Sequence, residues 1–158
     1  MRKSNYDKFP STHTDGMAIV GWEKITTILK EQWSDCPVWG IDLYVGTYEE
    51  DFIQAFQGLG RTIIDTRSLM RPEKELIQLT ERFITDDVLF GYLSNIQLVE
   101  YFDPDKVADL KVRVAASEPL IVIGTGAACF IPNDAPLVYA DMARWEIQQR
   151  FRRHEVRA

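Results

Sequence analysis

The chain has 158 residues, enough for one domain with a proper core and too few for two comfortable ones. Its 46% hydrophobic and 27% charged residues are the balance of an ordinary soluble globular protein. A net charge of -6 argues against nucleic acid and anionic membrane as partners.

No apolar run approaches the roughly 20 residues that span a bilayer. The first ten residues are polar and lack a hydrophobic signal core, so secretion is not expected. Two cysteines, Cys36 and Cys129, stand outside any CxxC spacing, which fits a reducing, cytoplasmic compartment. With His13 and His154 they leave little material for zinc, which takes four ligands in its structural sites, so no metal site is expected.

Residues 1–15 read as an extended arm, and residues 16–158 as a single α/β domain. Residues 17–20 are a short strand candidate. Trp22, Ile25, Ile28, Leu29 and Trp33 then fall at helical spacing and make one apolar face. Residues 38–46 alternate as a strand, with Trp39, Ile41, Leu43 and Val45 on one side and Asp42 and Tyr44 on the other. A carboxylate in a buried strand is costly without a partner, so Asp42 belongs near the strand's end or bonded to a neighbour. Thr47 opens the next helix, with Glu49, Glu50 and Asp51 in the first turn, where negative charge suits the dipole. Phe52, Ile53, Phe56 and Leu59 form its inner face, and Gly58 and Gly60 stop it.

Residues 62–65 are a second internal strand ending in Asp65, with Arg67 just beyond. Pro72 opens a helix with a Leu76, Leu79, Phe83 stripe. Residues 88–93 are a further strand candidate. Asp103 followed by Pro104 marks a helix start, and Val107, Leu110 and Val114 repeat at helical spacing. Residues 120–123 have no polar interruption and read as a strand buried on both faces. Residues 137–140 make another strand. Asp141 is placed to cap a final helix over residues 142–153, whose C-terminal arginines complement the dipole. Strands alternating with helices of this length predict a three-layer α/β fold of the P-loop or Rossmann kind. Its sheet is mainly parallel, of about five strands, with helices on both faces.

Two groups of residues are candidates for a site. The turn Gly124, Thr125, Gly126, Ala127 follows a buried strand, where α/β proteins expose backbone N–H groups to phosphate. It lacks the Lys-Ser/Thr of a P-loop and the third glycine of a dinucleotide fingerprint, so a plain tight turn competes with an anion cradle. Asp42, Asp65, Arg67 and Asp141 lie in or just after strands, and ligands collect beyond the carboxyl ends of strands. Helix capping and local ion pairs compete with that reading too. Nucleophilic catalysis has no support, since neither cysteine has a suggestively placed histidine.

The run Val138-Tyr139-Ala140-Asp141-Met142-Ala143-Arg144-Trp145-Glu146-Ile147-Gln148 resembles a segment of bacterial mannose-6-phosphate isomerase-like proteins. So do residues 1–8 and Val20-Gly21-Trp22. The resemblance implies the N-terminal, uridine-kinase-like α/β domain of such proteins, in carbohydrate metabolism, with residues 123–127 as the relic of a phosphate loop. Arg144, within that run, joins Asp42, Asp65, Arg67 and Asp141 as a candidate ligand residue. Zinc belongs, on this resemblance, to a cupin-type isomerase domain whose ligand set this sequence lacks, so no catalytic residue carries over. The expected ligand is a phosphosugar or a nucleotide, and the expected partner a cupin-type isomerase domain or chain. An alternative is an interaction module that pairs through Trp22 and Trp33 or through Trp145 and Phe151, with a homodimer as its outcome.

Overall fold

The computed structural model describes residues 15–87 and 91–156, together with residues 11 and 13. Four strands form one sheet: β1 (Val38–Leu43), β2 (Thr62–Asp65), β3 (Leu120–Gly124) and β4 (Leu137–Ala140). Their spatial order is β2-β3-β1-β4, and every pairing is parallel. Five helices accompany them: α1 (Trp22–Gln32), α2 (Glu49–Phe56), α3 (Glu73–Thr80), α4 (Pro104–Ala115) and α5 (Arg144–Arg152). The chain is therefore α/β, as the alternation of patterns predicts.

Side-chain alternation along the central strands builds a core on each face of the sheet. Trp39, Ile41, Leu43, Ile121 and Ile123 point to one face, where Leu29 and Trp33 from the α1 segment and Phe52, Ile53 and Phe56 of α2 cover them. Val38, Leu120 and Val122 point to the other, against Leu110, Val107 and Val114 of α4 and against Phe102 and Phe130. Every residue of β3 is buried, which is what an uninterrupted apolar run requires. Gly40 sits on the α4 side of β1, where a Cβ would fall 2.4 Å from Ile131 Cδ1; its missing side chain admits that isoleucine. The tryptophans serve as core and contact residues: Trp33 packs edge-on to Trp39 and Trp22 edge-on to Phe52, at 5.4 and 4.8 Å between ring centroids.

The helix ends follow local chemistry. Asp103 caps α4 by accepting from the N–H groups of Asp105 and Lys106 at 2.9 and 3.3 Å. Gly58 and Gly60, just beyond α2, both take positive φ. Four expectations change, the first being the strand over residues 38–46, which ends at Leu43. Residues 17–20 form no strand; Met17 is 95% exposed and no strand among the described residues pairs with it. The strand candidate over residues 88–93 falls partly on residues 88–90, which lie outside the described residues, and 91–93 have no regular structure. Asp141 does not cap α5. That helix begins two residues later than a cap at Asp141 requires, with Ala143 as its N-cap, and the Asp141 carboxylate accepts from the Met142 N–H instead.

Candidate functional site

Neighbouring strands β1 and β3 send their following segments to opposite sides of the sheet. After β1 the chain enters α2 on one face; after β3 it enters a 3-10 turn, Ala127–Phe130, whose Ala127 and Phe130 pack into the other core. A crevice opens at the carboxyl ends of such diverging strands, and this is where open α/β sheets hold ligands.

A cavity of about 710 Å³ lies there. Its lining comes from five separate stretches. Tyr44 to Tyr48 descend from the end of β1, and Glu49, Glu50 and Asp51 form the first turn of α2. Thr66, Arg67 and Met70 follow β2, while Leu98, Tyr101 and Phe102 come from the loop before α4. Thr125 contributes from the turn after β3, and Glu155 and Val156 from beyond α5. The lining combines aromatic and aliphatic side chains with several carboxylates.

The glycine turn has a different occupant from the one a phosphate loop would have. Gly126 N–H donates to Asp42 Oδ1 at 3.1 Å, and Ala128 N–H donates to Asp42 Oδ2 at 3.0 Å. Asp42 stands opposite Gly124 in the β1–β3 register, so its carboxylate reaches the turn directly. The anion held by these amides is the chain's own. Thr125 turns its hydroxyl to the Leu43 carbonyl at 3.0 Å, which ties the turn to the end of β1. Gly124, at φ 131, is packed so closely under Thr66 that a Cβ would meet its Oγ1 at 2.0 Å. Gly126 is in the left-handed region at φ 80 and lies against Leu98 and Phe102. Ala127 is fully buried.

Arg67 turns its guanidinium into the crevice lining, with Nε and Nη2 engaged. Its Nε reaches Asp65 Oδ2 at 2.8 Å and Glu49 Oε2 at 3.0 Å, and its Nη2 reaches Asp65 Oδ2 at 2.6 Å and Glu50 Oε1 at 2.9 Å. Asp65 also accepts from the Arg67 backbone N–H, capping the turn Thr66–Leu69. These bonds, those to Asp65 foremost, raise the Arg67 pKa above its ordinary value. Glu49 shifts in the opposite sense to a usual ion-paired carboxylate: burial pushes its carboxyl up, against the pull of Arg67. Partial burial and the nearby Asp42 charge also push the Cys129 thiol up, away from a reactive thiolate.

The far wall is held by α5. Arg150 donates to the Gly46 carbonyl at 2.7 Å, and its guanidinium lies 3.8 Å from the centroid of the Tyr48 ring. Tyr48 donates its hydroxyl to Glu155 Oε2 at 2.7 Å, and Arg153 bonds both Glu155 and Glu146. The two bonds from Arg153 and Tyr48 hold the Glu155 carboxyl down at about 2.

Of the residues singled out from the sequence, Thr125 and Arg67 line the crevice. Asp65, Asp42, Gly124, Gly126 and Ala127 support it from behind through the bonds and contacts above. Asp141 and Arg144 are exposed and lie outside its lining. The crevice residues that sequence reasoning passed over are Tyr48, Tyr101, Leu98 and Glu155. Tyr48 alone follows a strand end; Leu98 and Tyr101 precede α4 and Glu155 follows α5, so no local sequence signal joins them. No curated protein and no solved structure is significantly similar to this chain. The family described as a domain of unknown function, DUF8485, matches residues 21–158, and the chain belongs to it.

Proposed function

We propose that the chain is a small-molecule-binding domain that holds its ligand in the crevice between the carboxyl ends of β1 and β3 and leaves chemistry to a partner. The observation that carries this reading is the cavity itself. At about 710 Å³ it has the size of a small-ligand site, and it stands where the segments after β1 and β3 diverge. Aromatic and aliphatic walls suit the body of a sugar or a nucleoside; phosphosugars and nucleotides, the ligands implied by the isomerase-like resemblance, contain such bodies. The engaged state of the polar groups supports a binding role over a catalytic one. Arg67 is tied to three carboxylates, Asp42 to two backbone amides, and the Cys129 thiol is pushed toward its protonated form. A cupin-type isomerase partner follows from the resemblance alone.

Thermal unfolding with mannose, glucosamine, mannose 6-phosphate, fructose 6-phosphate, uridine, UTP and ATP at millimolar concentration tests this. At least one should raise Tm, since a ligand of the native state stabilises by mass action. Val45, 42% exposed on the crevice wall, is the place to block it. Val45→Trp should abolish the rise while the unliganded Tm stays within about 2 °C, as expected of an exposed substitution worth no more than about 0.5 kcal/mol. No rise with any compound would overturn the reading.

A further inference from the structure

We infer that the crevice selects a ligand carrying a positive charge, an organic amine on an aromatic or sugar-like body, over neutral and phosphorylated ligands. The inference rests on the crevice being a ligand site, and it adds the sign of the ligand's charge.

Among the described residues, four carboxylates line the cavity, those of Glu49, Glu50, Asp51 and Glu155, against one guanidinium, that of Arg67. The lining is thus three negative charges in excess. The groups bonded just behind it leave that excess intact. They are two cations, Arg150 and Arg153, which share Glu146, and two anions, that Glu146 and the Asp65 bonded to Arg67. An incoming phosphate would need a cation whose charge is not already offset, and Arg67 turns Nε and Nη2 to three carboxylates. It would also meet the N-terminus of α2, the usual harbour for an anion, where Glu49, Glu50 and Asp51 stand in the first turn. Burying an unpaired anion among like charges is unfavourable on both counts.

A cation meets the reverse. Tyr44, Tyr48 and Tyr101 line the same cavity, and aromatic faces attract ammonium groups. The rim already contains one such pair, the Arg150 guanidinium over the Tyr48 ring. A ligand ammonium among these carboxylates and tyrosines would gain hydrogen bonds to carboxylates and bury its organic body against Val45, Met70 and Leu98.

Isothermal titration with two matched series tests this: tyramine, tyrosol and 4-hydroxyphenylacetate, then glucosamine, glucose and glucose 6-phosphate. In each the shape is nearly constant and the charge runs from positive through neutral to negative. In at least one series the amine should bind about tenfold or more tightly than its neutral analogue, with the anion weakest. At about 1 M salt, where the screening length falls to about 3 Å, that preference should shrink several-fold. Asp51→Asn removes one lining charge from an exposed side chain and should weaken the amine several-fold more than the neutral analogue. Binding with the neutral or anionic member tightest would overturn the inference and leave the ligand site standing. Binding by none of the six, together with a flat thermal-shift panel, would overturn both.

Discussion

Asp42 is the residue on which the upper edge of the sheet depends. One carboxylate oxygen holds the Gly126 amide and the other the Ala128 amide, so the turn after β3 is bolted to the end of β1. Asp42→Ala leaves both amides without their acceptor and should lower stability to urea by about 1–3 kcal/mol. Asp42→Asn keeps one acceptor oxygen and should lose about half of that. A cost near zero for Asp42→Ala would mean that water replaces the carboxylate freely. Gly124 and Gly58 separate two reasons for glycine. Both have positive φ, but a Cβ at Gly58 meets open space while one at Gly124 strikes Thr66 Oγ1. Gly58→Ala should therefore cost about 1 kcal/mol from backbone strain alone. Gly124→Ala should cost about 2–4 kcal/mol, as overpacking adds to strain. Equal costs would refute the close contact.

At the scale of elements, α5 is the one whose attachment is electrostatic. It buries only Ile147, and the rest of its hold on the β1–α2 loop is Arg150 on Gly46 and Tyr48 and the Tyr48–Glu155–Arg153 chain. The Glu155 carboxyl is held at about 2, below its ordinary 4.5, by Arg153 and then Tyr48. A depressed carboxyl contributes fully above the unfolded value, and the contribution is lost as pH falls through the folded one. The α5 docking should thus weaken between about pH 4.5 and 2, seen as α5 amide shifts in NMR. Tyr48→Phe should move the loss to higher pH, and a profile identical to wild type would show that the phenol contributes nothing. How much of this was legible varies by element. The β3 strand could be read because five successive buried residues leave no other pattern. Residues 44–46 continue the alternation of β1, yet the strand stops at Leu43, opposite the last residue of β4. Strand ends are set by partners, which the local pattern does not contain. The crevice was harder still. Tyr48, Tyr101, Thr125 and Glu155 are far apart in sequence and meet only because β1 lies beside β3 and α5 folds back over the β1–α2 loop.

The whole molecule is two cores divided by one sheet, and β1 and β3 belong to both. Leu120 and Val122 face the α4 side while Ile121 and Ile123 face α1 and α2, so neither core can be lost while the other keeps its strand. That arrangement predicts one cooperative unit with a peripheral helix. In native-state hydrogen exchange, β3 amides should exchange only through global unfolding, and α5 amides through a local opening of lower free energy. Ile123→Ala removes a side chain that is 1% exposed and should lower the β3 exchange free energy by about 2–4 kcal/mol. The α5 opening energy should barely move as long as it stays below the reduced global value. If α5 amides fall in step with β3, the helix is part of the cooperative core and Glu155 and Val156 are fixed walls of the crevice. If they do not, the crevice has one wall that opens without unfolding the sheet, and a ligand resting against Glu155 would be read out as slower α5 exchange.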